Sequence, residues 1–389
     1  MSRFGRYSFF QLPDLMEEIR KHLRIAVVYG GDSSEENAVI NKTRNYRSWK
    51  SYKTVAYDIQ NALRENGFQW VTIFPDDMSL IDNLKKEQIQ FVWLNTGGVQ
   101  GINPMSHTAG ILEMLGIPYV GHNPINATLL DNKHIFKHLL HSYGIPTAPF
   151  VTWDGSKGDF LPSANEEFQN TFAKYDGPFI VKPVSGRASL HVHYVEKLSD
   201  LTVKVKEVYN QTHNLVMIEK YLSGREFCAS VYGHVQYKEG QFFKHPDPQV
   251  FSVSERVFEP GEMIFTSMDQ KQISEKRVTL LNGKKEEKLL SDIVQITQKV
   301  YEAFHLSSLI RLDIRADENG NLNILEVNPK PDLKRPADNI TSIVCLGLKE
   351  MGINYKDLIT GILADRIDKL LSNEEVNLFQ FHHYKGVSA

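Results

Sequence analysis

Apolar positions along the chain follow two periods, and the changes of period mark where its parts begin and end. At 9–22 the side chains Phe9, Phe10, Leu12, Leu15, Met16 and Ile19 recur at helical spacing, which predicts an amphipathic extension lying on the main body. RIAVVYGGD at 24–32 predicts a buried strand entering a Gly-Gly turn, and TVAYDIQNALRENG at 54–67 predicts a helix stopped by Gly67. WVTIFP and FVWLNTGG supply two more strands, and ILEMLGIPYVG a helix with a short strand, so a parallel sheet of alternating α/β units is expected. The helix within DNKHIFKHLLHSYGIPTAPF ends at Gly144, ahead of Pro146.

Beyond that point the pattern shortens. Residues 151–218 read as strand, helix, strand, loop, strand, helix, strand, which predicts a small separate lobe. Residues 219–330 return to longer strands with one strong helix at 286–304, while 235–285 looks irregular and predicts a long loop. The expected parts are an extension (1–23), an α/β domain (24–128), a small central α+β lobe (129–218), a larger C-terminal α+β lobe (219–372) and a peripheral tail (373–389).

A chain of 389 residues exceeds one ordinary hydrophobic core, so two or three subdomains around a shared cleft are expected. The 41 % apolar and 23 % charged content is that of a soluble globular protein, and a net charge of -3 gives no sign of a nucleic-acid partner. Cys228 and Cys345 sit inside apolar runs and read as reduced core thiols. With neither a signal-peptide pattern nor an apolar run long enough to span a bilayer, a cytoplasmic protein without membrane contact is expected.

The densest chemistry lies in SLIRLDIRADENGNLNILEVNP (308–329), where two apolar strands flank the turn Asp317-Glu318-Asn319-Gly320. Side chains two apart on a strand share a face, so Arg311 pairs with Asp313 and Glu326 with Asn328. Two carboxylates and an amide are hard oxygen donors of the kind magnesium takes, and a guanidinium beside them stabilises developing negative charge. The competing reading is a solvated hairpin face. Upstream, FIVKP carries Lys182 into a small-residue loop suited to phosphate, against the bland reading of a lone strand lysine. IEKYLSGREF places Glu219 at a strand end and Glu226 just past Gly224, where a backbone edge reads an adenine ring and a carboxylate takes ribose hydroxyls. His191 and His193, two apart, would share a strand face, but no matching Cys or acidic pair stands near them in sequence to complete a zinc site.

Taken in order, the Gly30-Gly31 turn, MLGIPYVG, LLDNKHIFKHLLHSYGIPTAPF, FIVKP, IEKYLSGREF, RLDIR and ILEVNP resemble the ATP-grasp superfamily, specifically its D-alanine:D-alanine ligase branch, over roughly residues 24–335. The resemblance implies an ATP-grasp fold of class α/β, with a doubly wound N-terminal substrate domain and two α+β lobes clasping ATP. It implies that Lys133 and Lys182 contact ATP phosphates, Glu219 and Leu222 engage adenine, Lys220 and Tyr221 lie in the same hinge, and Glu226 binds ribose. Asp313, Glu326 and Asn328 would hold magnesium, two ions with manganese as an alternative, and Arg311 would face the reacting carbonyl. One substrate's carboxylate then attacks the γ-phosphate and the other's amine displaces phosphate, the partners being small amino or carboxylic acids and the assembly a homodimer.

Several positions depart from that family. Asn37 stands where the resemblance leads us to expect a glutamate that holds the substrate ammonium, and Asn95 where a histidine is expected. The phosphate loop reads Ser185, Gly186, Arg187, Ala188, Ser189, in which Ser189 keeps the hydroxyl, and Lys271 falls near the family's loop lysine. After Asn328 the small-residue turn is replaced by Pro329, Lys330, Pro331, Asp332, Leu333, Lys334 and Arg335. These changes leave the ATP half intact and predict an altered amino-acid half, with Lys330, Lys334 and Arg335 as candidates for an extra acidic group on the substrate. The basic segment 41–53 stands where substrate could approach, or is surface decoration. A specialised ATP-grasp ligase or a noncatalytic ATP-binding protein are the alternatives. A P-loop kinase and a dinucleotide oxidoreductase are disfavoured, since neither G-x-x-x-x-G-K-[ST] nor G-x-G-x-x-G after the first strand occurs.

Overall fold

The computed structural model of the chain describes residues 7–39, 49–101, 103–186, 190–265, 274, 276–337 and 342–373. Its first unit is a parallel sheet in the order Trp70–Asp76, Arg24–Gly30, Phe91–Asn95, Tyr119–Val120. Strand Arg24–Gly30 is buried on both faces. Ile25 and Val27 pack toward helices Leu12–His22, Lys53–Glu65 and Tyr355–Ser372, while Ala26 and Val28 pack toward Leu80–Lys86 and His107–Leu115. Helices on both faces of a parallel sheet leave its carboxyl ends as the open edge at which ligands collect.

The second unit is an antiparallel sheet in the order Phe150–Trp153, Val216–Lys220, Phe179–Pro183, His193–Val195, backed by helices Glu166–Phe172 and Leu201–Thr212. The third is a five-stranded antiparallel sheet in the order Val278–Leu280, Gln249–Arg256, Glu226–Tyr232, Ile310–Ala316, Leu322–Asn328, with helix Glu287–Ala303 packed on it.

Three expectations are adjusted, and one helix was not foreseen. The extension opens with a 3-10 turn at Phe9–Gln11 and is α-helical from Leu12, with Pro13 in the first turn; Leu12, Leu15, Met16 and Ile19 are buried as predicted, but Phe10, in the 3-10 turn, is 90 % exposed. The stretch 235–285, expected to be irregular with a long loop, is more regular in its first half than that: Val235–Lys238 and Gln241–Lys244 form a hairpin around Glu239 and Gly240, both at positive φ as a primed turn requires, and Gln249–Arg256 is a full strand. His191 has φ of 58° and lies outside strand His193–Val195, so the two histidines do not share a strand face. Tyr355–Ser372, unassigned from sequence, is a helix buried on nearly every side, so its apolar residues form no stripe. Its polar groups are satisfied across the units: Asp365 accepts from the backbone N–H of His234 and Val235 at 2.6 and 3.0 Å, Asp368 from Tyr7 at 2.8 Å and Lys244 at 2.7 Å, and Arg366 donates to the Tyr119 carbonyl at 2.9 Å. Cys228 and Cys345 are free and buried, and burial pushes both thiols up to about 12. Among the described residues no helix is long and apolar enough to cross a membrane.

Candidate functional site

A cavity of about 910 Å³ opens where the three sheets meet, large enough for a nucleotide and a small substrate together. Its floor is built by strand register. Asp313 stands directly opposite Glu326 and Arg311 opposite Asn328, and Leu325 is the extra residue of a bulge that bends the second strand beside them. Asp313 is 3 % exposed, which sets aside the solvated-face reading. Arg311 grips it with two hydrogen bonds of 2.8 and 2.9 Å, Arg256 adds a contact at 3.2 Å, and the Asn328 amide lies at 3.3 Å. Burial alone would raise the Asp313 carboxyl; the two guanidinium groups outweigh it and hold the group far below its ordinary range. Lys133 reaches Glu326 at 3.1 Å.

The wall above is the segment that joins the second and third units. Glu219, Lys220, Tyr221 and Leu222 all line the cavity, and Lys182 donates to Glu219 at 2.6 Å. Lys220 turns outward to Glu318 at 3.0 Å. Glu219 is also paired with Lys137, a lysine with no exposed surface that donates to Thr147 as well. Burial opposes the Glu219 charge, yet the ammonium groups of Lys137 and Lys182 prevail and keep its carboxyl below the usual range. Burial also lowers Lys137, to about 8, against the pull of Glu219. Glu226 lies in register between Arg256 and Arg315 of the flanking strands, with contacts of 2.9 and 3.4 Å. Arg315 also donates to the Tyr221 hydroxyl at 2.8 Å.

Sequence reasoning missed Lys137, Arg256 and Arg315. Lys137 stands one helical turn beyond Lys133, which was the available signal. The two arginines depend on the pairing of distant strands, which no local pattern carries.

The predicted substrate residues divide. Lys330 and Lys334 line the cavity, whereas Asn37 is exposed and is not among its lining residues. Asn95 is buried and donates to the Tyr52 carbonyl at 3.1 Å, so it braces a loop. Arg335 is drawn away by Glu65, with bonds of 2.6 and 2.9 Å, and its backbone N–H donates to Asp58. It is thereby corrected from substrate candidate to structural cation. Of the basic segment 41–53, Lys50, Ser51, Tyr52 and Lys53 line the cavity. Ser189, Lys271 and 41–48 lie outside the described residues.

Comparison with known proteins gives these observations a context. A family model described as D-ala D-ala ligase C-terminus matches residues 139–364. The chain is 26 % identical over 351 residues to a D-alanine–D-alanine ligase of Phocaeicola vulgatus, covering 88 % of this chain and 98 % of that one. It is 27 % identical over 342 residues to one from Aquifex aeolicus, covering 88 % and 100 %. Among solved structures, the D-alanine–D-alanine ligase from Bacillus anthracis complexed with ATP matches with a TM-score of 0.66 at 21 % identity, covering 91 % of this chain and 100 % of that one. The D-alanine–D-alanine ligase from Coxiella burnetii matches at 0.61 and 18 %, covering 94 % and 99 %. These likenesses show the expected α/β fold of the ATP-grasp kind.

Proposed function

We propose, from the premise that the chain belongs to the D-ala D-ala ligase family, that it uses ATP to join the carboxylate of one small amino acid to the amine of another, releasing ADP and phosphate. The observation that carries this reading is the cross-strand set Arg311, Asp313, Glu326 and Asn328 on the floor of the cavity whose wall holds Lys182 and the 219–222 segment.

In this reading Lys133 and Lys182 face the ATP phosphates, the 219–222 backbone reads adenine, and Glu226 turns to ribose. Magnesium fits the donors present: Asp313, Glu326 and Asn328 offer hard oxygens. Among the described residues no group of three His, Cys, Asp or Glu side chains is placed to hold a metal ion, so Asp313, Glu326 and the Asn328 amide oxygen are the groups that would hold it. When bound, the metal neutralises charge on the phosphates during transfer. The carboxylate oxygen of the first substrate attacks the γ-phosphorus and ADP departs. The amine of the second then attacks the activated carbonyl, loses a proton, and expels phosphate. Arg311, held in place by Asp313, stabilises the oxyanion that forms at that carbonyl. Buried surroundings keep water from the acyl-phosphate. A homodimer and a cytoplasmic location rest on the family resemblance and the sequence.

Purified full-length chain incubated with ATP, magnesium and D-alanine, alone and with a panel of other D- and L-amino acids, tests the reading. ADP and a condensed product of matching mass should appear in equal amounts. AMP and pyrophosphate, or no nucleotide turnover with any acid, would refute it.

A further inference from the structure

Two lysines share the Glu219 carboxylate, and they are not placed alike. Lys182 reaches one oxygen from strand Phe179–Pro183 at 2.6 Å and lines the cavity. Lys137 reaches the other oxygen from helix Lys133–Ser142 and has no exposed surface. Glu219 is the acceptor the structure gives Lys182, whereas the three N–H donors of Lys137 meet three acceptors: the Glu219 carboxylate, the Thr147 hydroxyl and, at 3.4 Å, the Ile324 carbonyl. One ammonium is committed to the protein interior; the other stands at the cavity wall with a single partner to leave.

The place of Lys137 is fixed by backbone as well as by charge. Thr147 donates to the Ile324 carbonyl at 2.7 Å, and the Ile324 N–H donates to the Pro146 carbonyl at 2.9 Å. These bonds make a parallel bridge between the segment leading into strand Phe150–Trp153 and the floor strand Leu322–Asn328. Among the described residues, the charged groups acting on Glu219 are Lys137 and Lys182, while Lys182, Glu326 and, on its own helix, His141 lie within electrostatic reach of Lys137. Strand Phe150–Trp153 brings the Phe150 ring, its centre 5.7 Å from the Lys137 ammonium. Burial lowers Lys137 to about 8, against the pull of Glu219, so it carries its charge at neutral pH.

We propose that Lys137 is a positioning residue for nucleotide binding: it is the resident counter-charge of Glu219, and by holding that carboxylate it lets Lys182 leave for a phosphate. The proposal rests on the ligase reading, in which Lys182 faces the ATP phosphates. When Lys182 turns to a phosphate, Glu219 keeps Lys137 and the buried pair stays balanced at one charge each. Without Lys137 the same movement leaves a carboxylate of 1 % exposure unpaired, and burial then drives it to take up a proton. Nucleotide binding becomes coupled to that uptake, and so weakens as pH rises.

The test is calorimetric titration of the full chain with magnesium and the β,γ-imido analogue of ATP at neutral pH, in buffers of different ionisation enthalpy, so that protons taken up are counted. Lys137→Met should take up about one proton more per nucleotide than the wild type, bind about tenfold or more weakly, and lose up to about tenfold more for each unit rise in pH. Adding Glu219→Gln should abolish the extra proton, because no carboxylate is left to accept it. A merely structural role would weaken binding and leave the proton count unchanged. Lys182→Met reads the pairing without opening the core: it should lose nucleotide affinity yet melt close to the wild type and well above Glu219→Gln, since Glu219 keeps Lys137. Equal proton uptake by the wild type and Lys137→Met, or a Lys182→Met protein that melts as low as Glu219→Gln, overturns the proposal. Either of those results with nucleotide bound by the wild type leaves the ligase reading standing, whereas a wild type that binds no nucleotide removes both.

Discussion

Replacing Glu219 by glutamine removes the carboxylate shared by Lys137, which has no exposed surface, and Lys182, which is 7 % exposed. The amide matches it in shape, so packing is preserved and the change is electrostatic. Two buried ammonium groups then lose their common counter-charge. Removing one partner of a buried ion pair costs about 3–5 kcal/mol, and at about 2–4 °C per kcal/mol this is roughly 6–20 °C in melting temperature. The sign with pH follows from the carboxyl being held low in the folded protein. Its stabilisation is fully present above the ordinary carboxylate range and disappears as pH falls through the depressed folded value. The gap between wild type and Glu219→Gln, followed by thermal melts between neutral and acidic pH, should therefore be widest at neutral pH and close in acid. Adding Lys137→Met to the variant should recover part of the loss, because one uncompensated charge goes with it. A melting temperature within about 2 °C of wild type at neutral pH, or a gap that is flat with pH, would refute the reasoning.

Three further outcomes follow from the same geometry. Glu326→Ala should lower kcat by about 10²–10³-fold with little change in melting temperature, since Glu326 is a third exposed and meets Lys133 at the cavity floor; undiminished product formation would remove it from the metal set. Gly30→Ala forces the Lys50 carbonyl to move, so KM for the amino-acid substrate should rise severalfold while KM for ATP holds, as read by steady-state kinetics. Arg335→Ala should cost at most about 1 kcal/mol, as exposed ion pairs do, and leave substrate KM unchanged, because its guanidinium is committed to Glu65; a raised KM would return it to the site.

The floor of the site was legible in sequence because a strand repeats every two residues and Asp317–Gly320 closes the hairpin. Those two facts alone put Arg311 with Asp313 and Glu326 with Asn328. The parallel sheet was legible for a related reason, its strands being apolar runs between helix stops. The Glu226 arrangement was not, since Arg256 and Arg315 reach it through the pairing of strands distant in sequence. Lys137 was hidden because a lysine on a helix reads as solvent-facing unless its partner, 82 positions on at Glu219, is known. Asn95 carries no outward sign of its task either. Its side chain holds a loop backbone, and only the folded position of Tyr52 shows it. The hairpin at 235–244 should have been seen, since Glu239-Gly240 between alternating apolar residues is a turn signal of ordinary strength.

The central claim is that a substrate carboxylate is activated by phosphoryl transfer from ATP. It is tested most directly by running the reaction with a substrate whose carboxylate oxygens are both labelled with oxygen-18 and analysing the released phosphate by mass. Attack of that carboxylate on the γ-phosphorus leaves one of its oxygens in the phosphate, so one labelled oxygen per phosphate is expected, with the other in the new amide. Phosphate free of label, or label recovered in AMP, would contradict the account.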